Sequence, residues 1–211
     1  MSSETGPAPI AESTLDVSGL PSHAYGVRAP LWWGVLLLVA IEATTMALLL
    51  VSHLYLRGNY DVWPPSPIGG PAFRLATIQA ILLGVSYLPM MLAVRAARAE
   101  RLVPTRRWLT VAALLGATML AVRWLEFQRL PFRWDDHAYG SVFWMVLGLH
   151  VTHVLTGVLE DGMVIALFLR GPVERKHFGD VEASALLWYF SVLEWIPGFA
   201  ILYLAPWWAA R

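Results

Sequence analysis

The chain has 211 residues, 57% of them hydrophobic, and a mean hydropathy of +0.56, which is too apolar for an ordinary soluble domain and makes a membrane its natural solvent. Fifteen Lys and Arg balance fifteen Asp and Glu, so no global attraction to nucleic acid or to anionic lipid follows from charge. Cysteine is absent, which excludes disulfides, thiolate metal ligands and thiol nucleophiles and leaves His, Asp and Glu as the only candidate metal ligands.

Residues 1–30 are rich in Pro, Gly, Ser and acidic residues and read as an amino-terminal arm. The arm lacks the basic start and short apolar stretch of a secretory leader. Residues 31–208 then form one membrane domain. A hydrocarbon layer about 30 Å thick needs roughly 20 apolar helical residues, and five segments meet that demand: Leu31 to Leu56, Leu75 to Ala97, Trp108 to Phe127, Tyr139 to Leu169, and Val181 to Leu204. The joining segments collect Pro, Gly and charge, as span ends should. Within spans, Pro89 and Pro197 each remove a backbone hydrogen bond and are expected to kink their helices. Ala43 with Ala47, and Ala113, Ala117 and Ala121, recur at four-residue spacing and are candidates for close helix contacts.

The arm and the second and fourth loops hold Arg28, Arg95, Arg98, Arg101, Arg106, Arg107, Arg170, Arg175 and Lys176, whereas Arg57, Arg74, Arg129, Arg133 and Arg211 fall on the other side. The positive-inside rule therefore predicts a cytoplasmic amino terminus and an external carboxyl terminus. Trp32, Trp33 and Trp108 fall near the predicted inner ends, and Trp63, Trp134, Trp207 and Trp208 near the outer ends, as an aromatic belt would.

The informative residues are those a bilayer should reject: Glu42, His53, Arg123, Glu126, His150, His153, Glu160, Asp161, Glu182 and Glu194. Such groups must be neutral, paired or turned inward. Arg123 and Glu126 stand three apart on one helix and are placed to pair. His150 and His153 share a helix face, which leaves two readings. The pair serves as hydrogen-bonding glue between helices, or it joins Glu160 with Asp161 or Glu194 in a nitrogen-and-oxygen metal site. Helical carboxylate metal sites repeat a Glu-x-x-His motif on two helices, and no second histidine pair occurs in any other span. Glu42, midway along the first span, and Glu194, deep in the last, are read either as hydrogen-bonding acids or as proton-handling or lipid-contacting groups.

Four stretches carry a family likeness: "IEATTMALLLVSHLYLR" followed by "VWPP", "WLEFQRLPF", "YGSVFWMVLGLHVTHVLTG" and "KHFGDVEASALLWYF". In this order they resemble subunit III of the haem-copper respiratory oxidases, which include cytochrome c oxidase and ubiquinol oxidase. By position, Glu42, Glu126, His150, His153, Glu182 and Trp188 match the family's recurring polar and aromatic places. Tyr189 stands where the family usually has His, Val192 where it usually has Asp, and Glu194 and the Glu160–Asp161 pair have no family counterpart.

The resemblance implies an all-helical integral membrane protein of five spans, with the first two separated from the last three by a lipid-holding cleft. It implies an accessory subunit without catalytic centre, haem or metal of its own, in the bacterial cytoplasmic (inner) membrane. Such a subunit packs against subunit I, beside subunit II, where the haem and copper reside; it binds phospholipid and supports proton uptake. The alternatives are a subunit III-like component of a nitric oxide reductase or other respiratory assembly, and an independent metal-dependent membrane enzyme using His150, His153, Glu160 and Glu194.

Overall fold

The computed structural model describes residues 26–65 and 68–206. Most of the arm, and Trp207, Trp208 and Arg211, lie outside the described residues. All regular structure among the described residues is helical: α1 (Pro30–Gly58), α2 (Phe73–Arg98), α3 (Leu102–Arg129), α4 (Ala138–Arg170) and α5 (His177–Phe199). Each is long and apolar enough to cross a membrane.

Helices extend past the apolar runs because backbone geometry, unlike hydropathy, does not stop at the first charge. The largest gain at a helix start is in α3, which starts at Leu102 rather than near Trp108. Pro104 lies in its first turn, where a missing N–H costs nothing. The α2–α3 turn is equally economical. Glu100 takes a left-handed backbone (φ 52°), its N–H donates to the Ala97 carbonyl, and the Arg101 N–H donates to the Ala96 carbonyl. This paired closure is the Schellman motif, here formed without glycine. The Glu100 carboxylate then accepts from Arg175 Nε at 2.7 Å, tying the turn to the α4–α5 loop.

Helices α2, α3, α4 and α5 pack in a closed ring in that order, and α1 lies along the outer groove between α4 and α5. The five membrane-length helices match the expectation from sequence, but their grouping does not divide the first two from the last three. Instead α2 packs along α3 and α5, and α1 does not pair along α2. The reason lies in side-chain size. Ala76, Ala93 and Ala97 of α2 and Ala112 of α3 are fully buried, which lets backbones approach closely where no hydrophobic effect drives association.

Trp188 of α5 keys the ring together. Its indole N–H donates to Ser86 Oγ of α2 at 3.1 Å, while its ring edge lies against Gly116 of α3 and Gly157 of α4, where any Cβ would collide with it. The small-residue stripe of α3 is therefore turned one position from its expected register. Ala112 and Gly116 face inward, whereas Ala117 and Ala121 are exposed.

Pro89 lies inside α2 without ending it. Pro197 is followed by a wide π turn at Ala200–Leu204, a form in which helices absorb local disturbance. That turn leaves Leu202 and Tyr203 buried. Trp134 is 60% exposed and suits the belt, but Trp63 is packed edge-on against His53 (5.1 Å) and Tyr139 (4.9 Å). It anchors the α1–α2 loop to α4.

Candidate functional site

The ionisable residues gather into separate clusters where α4 and α5 meet their neighbouring helices. The first is built around Arg123 and Glu126, the pair foreseen at i, i+3. Arg123 Nη1 donates to Glu126 Oε2 at 2.6 Å, and the two side chains are 1% and 2% exposed. Tyr203, delivered by the π turn, donates its hydroxyl to the other carboxylate oxygen at 2.6 Å. Arg123 Nη2 lies 3.4 Å from His150 Nδ1, and its guanidinium sits 4.3 Å from the centre of the Trp195 ring.

His150 is clamped on three sides. Arginine is always a donor, so Nδ1 accepts from Arg123 and Nε2–H donates to the Ser191 carbonyl at 3.3 Å. The imidazole is thus the Nε2–H tautomer, stacked on Trp195 at 4.3 Å. Neither nitrogen is left for a metal.

The second cluster centres on His153. Its Nδ1 lies 2.6 Å from Glu194 Oε1 of α5, and its Nε2 lies 3.2 Å from Glu42 Oε2 of α1. Each of the two contacts needs a proton, so the three groups share at least two. Glu194 is buried and its Oε2 has no partner among the described residues, whereas the Glu42 side chain is 28% exposed. The triad therefore runs from a partly exposed carboxyl on α1 into the ring.

This geometry separates what the metal reading would join. His150 and His153 share a helix but serve different clusters. Glu42 and Glu194 lie on opposite edges of the His153 ring, so the imidazole bridges two carboxylates and does not share one ligand cage with them. Among the described residues no group of three His, Cys, Asp or Glu is placed to hold a metal ion. Asp161, expected near that site, instead accepts from Ser184 Oγ at 2.7 Å. Glu160 lines a groove of about 260 Å³ with Asp180 and Leu31.

At the basic end, Glu182 accepts from Arg98 Nε at 2.5 Å and from the Gly26 N–H at 2.8 Å. It holds the short turn before α1 to α5. His53 is 1% exposed without a hydrogen bond to its ring nitrogens among the described residues; it packs as an aromatic against Trp63 and Tyr139.

Sequence reasoning missed Tyr203, Ser86, Ser184 and Ser191. Hydroxyls and carbonyls carry no penalty that marks them in a hydropathy profile, and their partners lie 23 to 102 residues away. Tyr203 alone carried a signal, since Pro197, six residues earlier, foretold a disturbed helix.

Comparison with known proteins identifies the family. The chain matches the family model described as cytochrome c oxidase subunit III over residues 10–210. It is similar to the cytochrome c oxidase subunit 3 of Synechocystis sp., at 28% identity over 91% of this chain and 84% of the relative. The proteins of the same name from Petromyzon marinus (26%, covering 90% of this chain and 73% of the relative) and Thermostichus vulcanus (25%, 81% and 85%) are also similar. With five membrane-length helices and a family match across nearly its whole length, the chain belongs to the cytochrome c oxidase subunit III family.

Proposed function

We propose that the chain is the accessory, non-catalytic subunit III of a respiratory haem-copper oxidase in a bacterial cytoplasmic membrane, with a cytoplasmic amino terminus. One observation carries this beyond the family match: the ring nitrogens of His150 and His153 are all engaged by protein partners. The two α4 histidines, which could have bound haem or metal, are spent on joining helices. The polar network is a scaffold, and the redox chemistry belongs to a neighbour.

That neighbour is subunit I, with subunit II in the same complex. The apolar window of α1 is only 11% buried, against 50% for α5, so α1 keeps an extended surface for a partner chain or lipid. Leu193 and Ile196 of α5 are each 63% exposed, on the side where α1 and α2 do not meet. This gap, rather than a cleft between the first two helices and the last three, is the place for a structural phospholipid. The Glu42–His153–Glu194 triad supports a part in proton uptake, because it links a surface-accessible carboxyl to one inside the ring.

The test is isolation of the affinity-tagged chain from its native membrane in mild detergent. A stoichiometric partner with the optical spectrum of a haem-copper oxidase supports the assignment. A nitric oxide reductase as the haem partner, or a chain that purifies alone from intact membranes, overturns it.

A further inference from the structure

A groove of about 570 Å³ runs between α3 and α4 at the basic end of the bundle, with Arg106, Arg107, Trp108 and Val111 on one wall and Ile165 and Leu169 on the other. It lies on the α3–α4 face of the ring, next to the α4–α5 face that α1 covers, and so is distinct from the gap over α5. Its size is that of a ligand site. Its chemistry has two parts, an apolar trough along the helices and a positive mouth.

The charge at that mouth is unspent. Among the described residues three acids of this end are taken: Glu182 pairs with Arg98, Glu100 with Arg175, and Glu174 with Lys176. Arg106 and Arg107 have no carboxylate within ion-pairing distance among the described residues, and neither does Arg170, which follows Leu169 directly. Two guanidinium groups, those of Arg106 and Arg107, thus border an apolar trough at the level where a span meets the headgroup region, marked by the 39% exposed Trp108. Basic pockets between membrane helices select phosphate headgroups, because the ammonium-free phosphodiester pairs with arginine while its chains fill the trough.

We infer that the α3–α4 groove is a binding site for one anionic glycerophospholipid, with its phosphate on Arg106 and Arg107 and an acyl chain along Val111, Ile165 and Leu169. Neutral phospholipid gains only the apolar half of this interaction. Free phosphate gains only the polar half. The adjacent arginines at the mouth match a phosphate, and the apolar trough matches an acyl chain, which together favour a lipid occupant.

The experiment is native mass spectrometry of the purified protein, in its complex and as the separated full chain, titrated with phosphatidylglycerol, phosphatidylcholine or inorganic phosphate. Phosphatidylglycerol is expected to bind most tightly. The Arg106→Gln/Arg107→Gln variant should weaken it by roughly thirtyfold, from the attraction of two basic residues to an anionic lipid, while Arg129→Gln at the other end of α3 leaves it unchanged. Val111→Trp, which fills the trough and keeps the charges, should weaken it as well. Equal binding of phosphatidylcholine overturns the inference, as does full retention of binding in Val111→Trp, which would mean headgroup attraction to a charged surface alone. Binding by the separated chain but none by the complex also overturns it, since a partner chain would then cover the groove. These outcomes do not depend on which haem protein is the partner.

Discussion

Replacing Glu126 by Gln isolates the strongest internal interaction. Arg123 cannot shed its charge, it is 1% exposed, and Glu126 is its only carboxylate among the described residues. The substitution leaves a guanidinium facing His150 Nδ1 at 3.4 Å and the Trp195 ring at 4.3 Å. Breaking a buried pair by removing one partner costs about 3–5 kcal/mol. The Trp195 face, together with a hydrogen bond from the new amide, offsets part of that, so a loss near the lower figure, about 3 kcal/mol, is expected. The double variant Arg123→Met/Glu126→Gln removes the stranded charge and should regain most of the loss. Unfolding in detergent micelles, followed by tryptophan fluorescence, measures all four corners of the cycle. A Glu126→Gln protein within about 1 kcal/mol of wild type, or a double variant as unstable as the sum of the singles, would refute the reasoning.

Other substitutions probe the remaining joints. Gly157→Ala sets a Cβ 2.9 Å from Trp188 Cε3 and should cost about 1–3 kcal/mol by overpacking. Gly116→Ala, whose Cβ meets both Val158 and Trp188, should cost more in the same melt. Glu194→Gln, in the buried arm of the triad, should destabilise the bundle by about 1–3 kcal/mol; Glu42→Gln, 28% exposed, should cost less. Its effect should fall on the attachment of α1, read as faster hydrogen exchange or proteolysis there. Glu182→Gln faces an Arg98 side chain that is 66% exposed, so its loss should stay within about 1 kcal/mol.

The spans were legible because 20 apolar residues in a row admit few other readings, and the Arg123–Glu126 pair was legible because helix geometry fixes i, i+3 neighbours. What could not be read was which face of each helix looks inward. In a soluble protein polarity marks the outer face, but a lipid-facing leucine and a buried one look alike. Hence the α3 stripe was placed one residue off, with Ala117 outward and Gly116 inward, and the two-plus-three division gave way to a ring of four with α1 outside. Long-range partners were equally hidden. Glu42 finds His153 across 111 positions and Tyr203 finds Glu126 across 77, and only the packed fold reveals that His150 and His153, three apart, belong to different clusters.

The central claim is that these imidazoles and carboxylates knit helices together and hold no redox centre. Its most direct test is the haem and metal content of the chain after separation from its haem-bearing partner, measured for wild type, His150→Ala and His153→Ala. The account predicts no stoichiometric haem or metal in any of the three, with the cofactors retained by the partner. One ion or haem per wild-type chain, lost in both histidine variants, would contradict it.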